Sequence, residues 1–261
     1  GYPFQEDDYG SPFTPYYRSY LSNMNEVIRL TQDPAEANKN AIARIFRTWL
    51  FQNLTDTYGD IPYTEAARSG ENFTASPKYD RQQDIYKDML NELKSAAAQL
   101  SANLSGESFG SADLLFGGDA ESWLRFANSL RLRMAVRVRF ADNALAQEHI
   151  NDVINAPLID ENTENAALPS EGASAPNRDN RSPILNFLED GNIYGLYFSF
   201  TVLEALALND DPRLSVYFSL PNSIDPLSSI PYRARPINPS GPINARYNRD
   251  SVSRVGEFFM S

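Results

Sequence analysis

The stretch Ile42 to Ala66, IARIFRTWLFQNLTDTYGDIPYTEA, constrains the chain more than any other. Ile42, Ile45, Phe46, Trp49, Leu50, Leu54 and Tyr58 recur at spacings of three and four, which predicts an amphipathic helix with a wide apolar face. A face that wide has to be buried, so the helix belongs inside a core. Its start is written upstream. Asp33 suits an N-cap, Pro34 the first helical position, and Glu36, three residues after the cap, a capping box. Its stop is as legible: Gly59 suits a left-handed position after the helix, and Pro62 drives Ile61 out of the helical region.

Further helices follow the same logic. Tyr20, Leu21, Met24, Val27 and Ile28 predict one over Tyr17 to Thr31, closed before Pro34. Another opens at Asp80, with Gln83 as capping-box partner and Ile85, Met89, Leu93, Ala96, Ala97 and Leu100 on its inner face. Asp119 to Phe140 supports two periods. Leu130, Leu132, Met134, Val136, Val138 and Phe140 alternate with arginines as a strand would, whereas Trp123, Phe126, Ala127, Leu130, Met134 and Val138 fit a helix. No turn signal divides the segment, and Glu121 lies four residues before Arg125, so one helix of about twenty residues is the better reading. Asp142 caps a shorter helix that runs to Asn155 and stops at Pro157. A Thr201-x-x-Glu204 capping box opens a last one, through Val202, Leu203, Leu206 and Leu208 to NDDPRL.

The connections are rich in proline and aromatics. Gly1 to Tyr20 holds Tyr2, Phe4, Tyr9, Phe13, Tyr16, Tyr17 and Tyr20 among Pro3, Pro12 and Pro15. These rings either pack the segment onto the helices or stay exposed as a platform for sugar faces, with packing expected for most of them. Pro157 to Tyr197 is loop-rich, and Asp190-Gly191 signals a turn that closes a short hairpin. Prolines 221, 226, 231, 236, 239 and 242 permit neither a helix nor a central strand. Tyr232, Arg233, Arg235, Arg246, Tyr247 and Arg249 give that end a basic, aromatic character.

Four of these segments, in order, resemble the SusD/RagB family: the helix ending in YGDIPYTEA, then PKYDRQQDIYKDMLNELKSAAAQL, GDAESWLRFANSLRLRMAVRV and NDDPRL. The resemblance implies a mainly α fold of tetratricopeptide-like antiparallel helix pairs in a superhelix, with long proline-rich loops and little β structure. No internal repeat in the sequence shows this architecture by itself. The resemblance also implies an N-terminal portion, with residues 1–261 forming a single SusD-like domain. A signal peptide and lipid-modified cysteine would precede it and a further helical part would follow. The implied role is non-catalytic capture of an oligomeric nutrient, a glycan or a peptide, at the cell surface of the outer membrane. The implied partner is a SusC-like TonB-dependent transporter, and the implied contact with the membrane is the lipid anchor alone.

Charge and composition narrow the alternatives. A formal net charge of −11 and the lack of a basic stripe argue against nucleic acid. There is no cysteine, so disulfides, thiolate metal sites and cysteine nucleophiles are excluded. The single histidine, His149, sits in a helical run and reads as a solvated or packed residue. No apolar run approaches the ~18 residues of a membrane span. Asp160, Glu161, Asn162, Glu164 and Asn165 carry calcium-type ligands, but without EF-hand spacing they read as a solvated acidic loop. Arg131, Arg133, Arg137 and Arg139 read as salt-bridging or helix-capping groups.

No cofactor and no metal are expected. The candidate ligand contacts are Tyr9, Phe13, Tyr16, Tyr194, Tyr197, Tyr232, Arg233 and Tyr247. Two other functions compete with nutrient capture. One is a tetratricopeptide-type scaffold that binds protein only. The other is a helical glycoside hydrolase, for which Asp60 and Glu65 are the only tempting carboxylate pair.

Overall fold

A computed structural model of the chain describes residues 13–66, 74, 76–168, 199–222, 230–234 and 253. The chain divides into two compact units, Phe4–Leu168 and Pro169–Ser261 together with Gly1–Pro3, and each is described by itself.

The first unit is built from sequential helices. A turn at Phe13–Pro15 runs into a π-helical segment, Tyr16–Leu21, and then into α1, Ser22–Leu30. The organising helix, α2, spans Ala37–Tyr58. After it come β1 (Ile61–Pro62) and β2 (Tyr79–Asp80), an antiparallel pair in which Pro62 faces Tyr79. Then follow α3 (Gln82–Ser101), α4 (Ala120–Val138) and α5 (Asn143–Val153). Each helix packs on the next in sequence, α1 on α2, α2 on α3, α3 on α4 and α4 on α5. This is the mainly α, tetratricopeptide-like arrangement that the resemblance implies.

The core runs through all of them. Ile45 and Leu54 of α2, Ile85, Met89, Leu93 and Leu100 of α3, and Trp123, Ala127 and Met134 of α4 are buried in one cluster. Each large apolar side chain buried there contributes roughly 1.5–3 kcal/mol relative to exposure. Phe46, Trp49 and Tyr58 of the expected α2 face are only partly buried, whereas Ala41, Thr48, Phe51, Gln52 and Thr55 are buried as well. Contacts on several sides make α2 the central helix of its unit.

In α4 the helical period prevails over the alternating one. Leu130 and Met134 are buried while Val136 and Phe140, which a strand would place beside them, are exposed. The arginines meet the salt-bridge reading only in part: Arg131 and Arg137 form ion pairs, whereas Arg133 bonds an amide and Arg139 lies over a ring. Arg133 donates to Gln52 at 2.6 Å, Arg137 pairs with Asp56 at 3.4 Å, and Arg139 stacks over Phe140 at 4.4 Å.

Three caps differ from the sequence reading. Asp33 caps as expected, accepting from Ala35 N at 2.9 Å, but Glu36 forms an ion pair with Lys39 at 2.7 Å. A 3₁₀ turn, Pro34–Glu36, precedes α2. Asp80 does not cap α3. Its carboxylate turns to Tyr63 and Thr64, and the free N–H of Gln82 is taken by Asp60 at 2.8 Å, 22 residues upstream. Ser199, not Thr201, caps the helix in the second unit. Asp142 caps α5 as read, accepting from Leu145 N at 3.0 Å, and Asp119 caps α4, accepting from Ser122 N at 2.7 Å.

Of the second unit, the structure describes α6 (Phe200–Leu208) and α7 (Leu214–Tyr217), with Leu203, Leu206, Phe218 and Ala234 buried together. Arg213 bonds the Asp211 carboxylate, the local role read from NDDPRL. The turn at Asp190-Gly191 lies outside the described residues, as does most of the proline-rich segment.

Candidate functional site

The YGDIPY turn is the most densely tied part of the first unit. Gly59 ends α2 at φ 75° and ψ −119°. Its φ is positive as expected, but ψ lies outside the left-handed helical well, in a region essentially reserved for glycine. Asp80 Oδ2 accepts from Tyr63 N at 3.2 Å, Thr64 N at 2.7 Å and Thr64 Oγ1 at 2.9 Å. Burial works against its charge, yet these bonds outweigh that effect and hold the carboxyl below its ordinary value. Glu65 accepts from Lys78 N at 3.2 Å, and Gln82 Nε2 donates to Thr55 O at 2.6 Å. Asp60 and Glu65, the tempting pair, thus each hold a backbone amide of the segment leading into α3.

Beside this turn lies a row of rings. Tyr17 Oη donates to Pro62 O at 2.7 Å, which places it next to Tyr79 across the β1–β2 pair. Phe13 packs on Tyr17 at 4.7 Å and edge-on to Tyr58 at 5.2 Å. Tyr16 meets Tyr20 edge-on at 5.4 Å. Burial, then the neighbouring Tyr20 and Tyr58, raise the Tyr16 phenol pKa. Burial, then Tyr79 and Asp80, raise that of Tyr17 further. The inner rings are half-buried on the core, but Tyr20 is 49% and Tyr79 64% exposed.

Among the expected contacts, Phe13 and Tyr16 come together in this row, mostly as packing residues. Tyr232 is half-buried in the second unit, 6.1 Å from Phe218. Arg233 beside it exchanges two bonds with Ser253, N to Oγ at 3.0 Å and O from N at 2.7 Å. Tyr9, Tyr194, Tyr197 and Tyr247 lie outside the described residues. Within this row Tyr20 and Tyr79 are exposed, and neither is among the expected contacts. The i, i+4 spacing of Tyr16 and Tyr20 was available as a signal, while the position of Tyr79 depends on strand pairing and left none.

The acidic loop after α5 makes local contacts. Glu164 accepts from Asp160 N at 3.1 Å and pairs with Arg125 at 3.3 Å. Among the described residues no helix is long and apolar enough to cross a membrane.

The family profile described as starch-binding and associating with outer membrane matches residues 2–251. The chain belongs to the SusD-like family. A solved chitin-binding protein shares 27% identity with this SusD-like chain, covering 97% of it and 54% of its own length, at TM-score 0.81. A Bacteroidetes SusD-like protein shares 29% over 82% of the chain and 42% of its own length, at TM-score 0.70. A chitin-binding SusD homologue from Flavobacterium johnsoniae, 22% identical, covers 100% of the chain and 51% of itself at TM-score 0.80, a likeness of fold. The SusD-like chain spans about half the length of these relatives. No curated protein matches its sequence significantly.

Proposed function

We propose that this chain is part of a lipid-anchored, surface-facing outer-membrane protein that captures an oligomeric glycan without cutting it. The glycan then passes to a SusC-like TonB-dependent transporter. The observation that carries the reading is the row of rings beside the YGDIPY turn, on a frame fixed by hydrogen bonds donated to three carboxylates. Tyr20 and Tyr79 offer ring faces to the C–H faces of sugars, and their phenols offer hydrogen bonds at the rim. The family description and the chitin-binding relative favour a glycan over a peptide. Tyr9, Tyr194, Tyr197, Tyr232, Arg233 and Tyr247 stay in the reading as proposed contacts on the sequence argument alone. A non-catalytic role is supported by Asp60 and Glu65, each of which accepts a backbone amide with one carboxylate oxygen.

Calorimetric titration with malto- and chito-oligosaccharides, beside a peptide panel, tests this. One stacked ring removes about 40 Å² of apolar surface from water, worth roughly 1 kcal/mol. The Tyr20→Ala/Tyr79→Ala double variant, which loses two rings at roughly 1 kcal/mol each, is therefore expected to bind roughly thirtyfold more weakly. Equal affinity of the double variant would move the site elsewhere. Binding of peptides alone would transfer the chain to the protein-scaffold reading. Shortened oligosaccharides in the titration cell would revive the hydrolase.

A further inference from the structure

His149 is the only histidine in the chain, and there is no cysteine. Between pH 5 and 7 no other side chain type here has its ordinary pKa. The residue sits on the inner face of α5 with 0% exposure. Its Nδ1 accepts a hydrogen bond from Arg131 Nε of α4 at 2.8 Å. Arg131 is itself 4% exposed, and its other arm donates to Asp152 at 2.7 Å. Asp152 also pairs with Lys94 of α3 at 2.5 Å. Two helices therefore meet at the Arg131 guanidinium, and a third, α3, joins them through Lys94 at the Asp152 carboxylate.

The chemistry of the contact fixes the protonation state. A guanidinium does not give up its proton, so Nδ1 must be the lone-pair nitrogen and the imidazole neutral. Among the described residues the charged groups facing the ring can be named. Lys94 from α3 and Arg131 from α4 oppose a positive ring, whereas Glu148 and Asp152 on α5 itself favour it. Burial and then Arg131 dominate, and the pKa of His149 is pushed below its ordinary value. Nε2 makes no hydrogen bond among the described residues, so no carboxylate there rewards the imidazolium.

We propose that the Arg131–His149 contact is an acid-sensitive latch: a proton bound at Nδ1 turns the acceptor into a donor, expels the guanidinium and loosens α5 from α4. The sign follows from linkage. With the folded-state pKa depressed, the unfolded or unlatched state binds more protons as pH falls from the ordinary histidine value, and stability is lost in that direction. Above that range the latch is closed. For one proton the opening constant rises by up to tenfold per pH unit.

Hydrogen exchange on the intact chain, corrected for the intrinsic pH dependence of amide exchange, tests this. Between pH 7.5 and 5.0 the α5 amides should lose protection by about tenfold or more, while His149→Gln, whose amide oxygen still accepts from Arg131, should stay flat. Equal loss in both proteins would overturn the latch. Should His149→Gln fail to fold by circular dichroism, the ring of wild-type His149 can be titrated by NMR. A depressed midpoint, with α5 amide shifts moving at the same pH, supports the proposal. A midpoint at or above about 6.5 overturns it.

Discussion

Asp113 offers the sharpest test of how the loops are held. It precedes α4 and divides its work between two oxygens. Oδ1 accepts from Leu115 N at 2.9 Å and Phe116 N at 3.3 Å. Oδ2 accepts from Gly118 N at 2.9 Å and from Trp123 Nε1 at 2.6 Å. Trp123 is 2% exposed, so its indole N–H has no route to water once Asp113 is lost. Asp113→Asn keeps only one accepting oxygen and turns an NH₂ group toward N–H donors. Leaving the indole unpaired costs about 1–3 kcal/mol, and losing the charge-assisted loop bonds adds about 1, for roughly 3 kcal/mol in total. In a unit of this size that lowers Tm by roughly 6–12 °C. Urea unfolding reads the first number and a thermal melt the second, each followed by circular dichroism and by tryptophan fluorescence, since Trp123 is one of two tryptophans. Were Asp113→Asn to fall within 0.5 kcal/mol of wild type, the idea that one carboxylate organises the loop and anchors Trp123 would be wrong.

Two further outcomes follow from local geometry. Gly118 has φ 83°, and a Cβ there would lie 2.4 Å from Gly110 N, so Gly118→Ala should cost more than 2 kcal/mol in urea unfolding. Gly59 has φ 75° but nothing within 4 Å of such a Cβ, so Gly59→Ala should cost only the backbone strain, about 1–2 kcal/mol. The Asp152 carboxyl is held down to about 2, by the bond from Lys94 and then that from Arg131. A depressed carboxyl stabilises the fold above its ordinary range and loses that contribution as pH falls toward 2. Acid titration of Asp152→Asn should therefore show a flatter stability curve between pH 4 and 2, and an unchanged slope would assign acid unfolding to other groups.

Much of the helical frame was legible because its signals are local. The threefold and fourfold spacing in α2, the same spacing in α3, and Asp142 at the head of α5 needed no distant partner to be read. In α4 the local signal was double, and burial of Leu130 and Met134 with exposure of Phe140 decided it. The candidate site was far less legible. Phe13 and Tyr16 were selected as contacts, yet they pack mainly on the core, while the exposed Tyr79 drew no notice. A ring count along the chain cannot tell a packed ring from a free one.

The sequence by itself determined which segments are helical and where most of them stop, because apolar period, glycine and proline act on the backbone within a few residues. The tertiary structure alone decided what each polar group does. Asp80 left its helix for Thr64, Asp60 took the vacant cap from 22 residues away, and His149 came to accept from Arg131 rather than face water. Those choices turn on separations of 2.7–2.8 Å between residues remote in sequence. Hydrogen bonding is satisfied by whichever donor packing brings within reach, and no spacing rule along the chain encodes that.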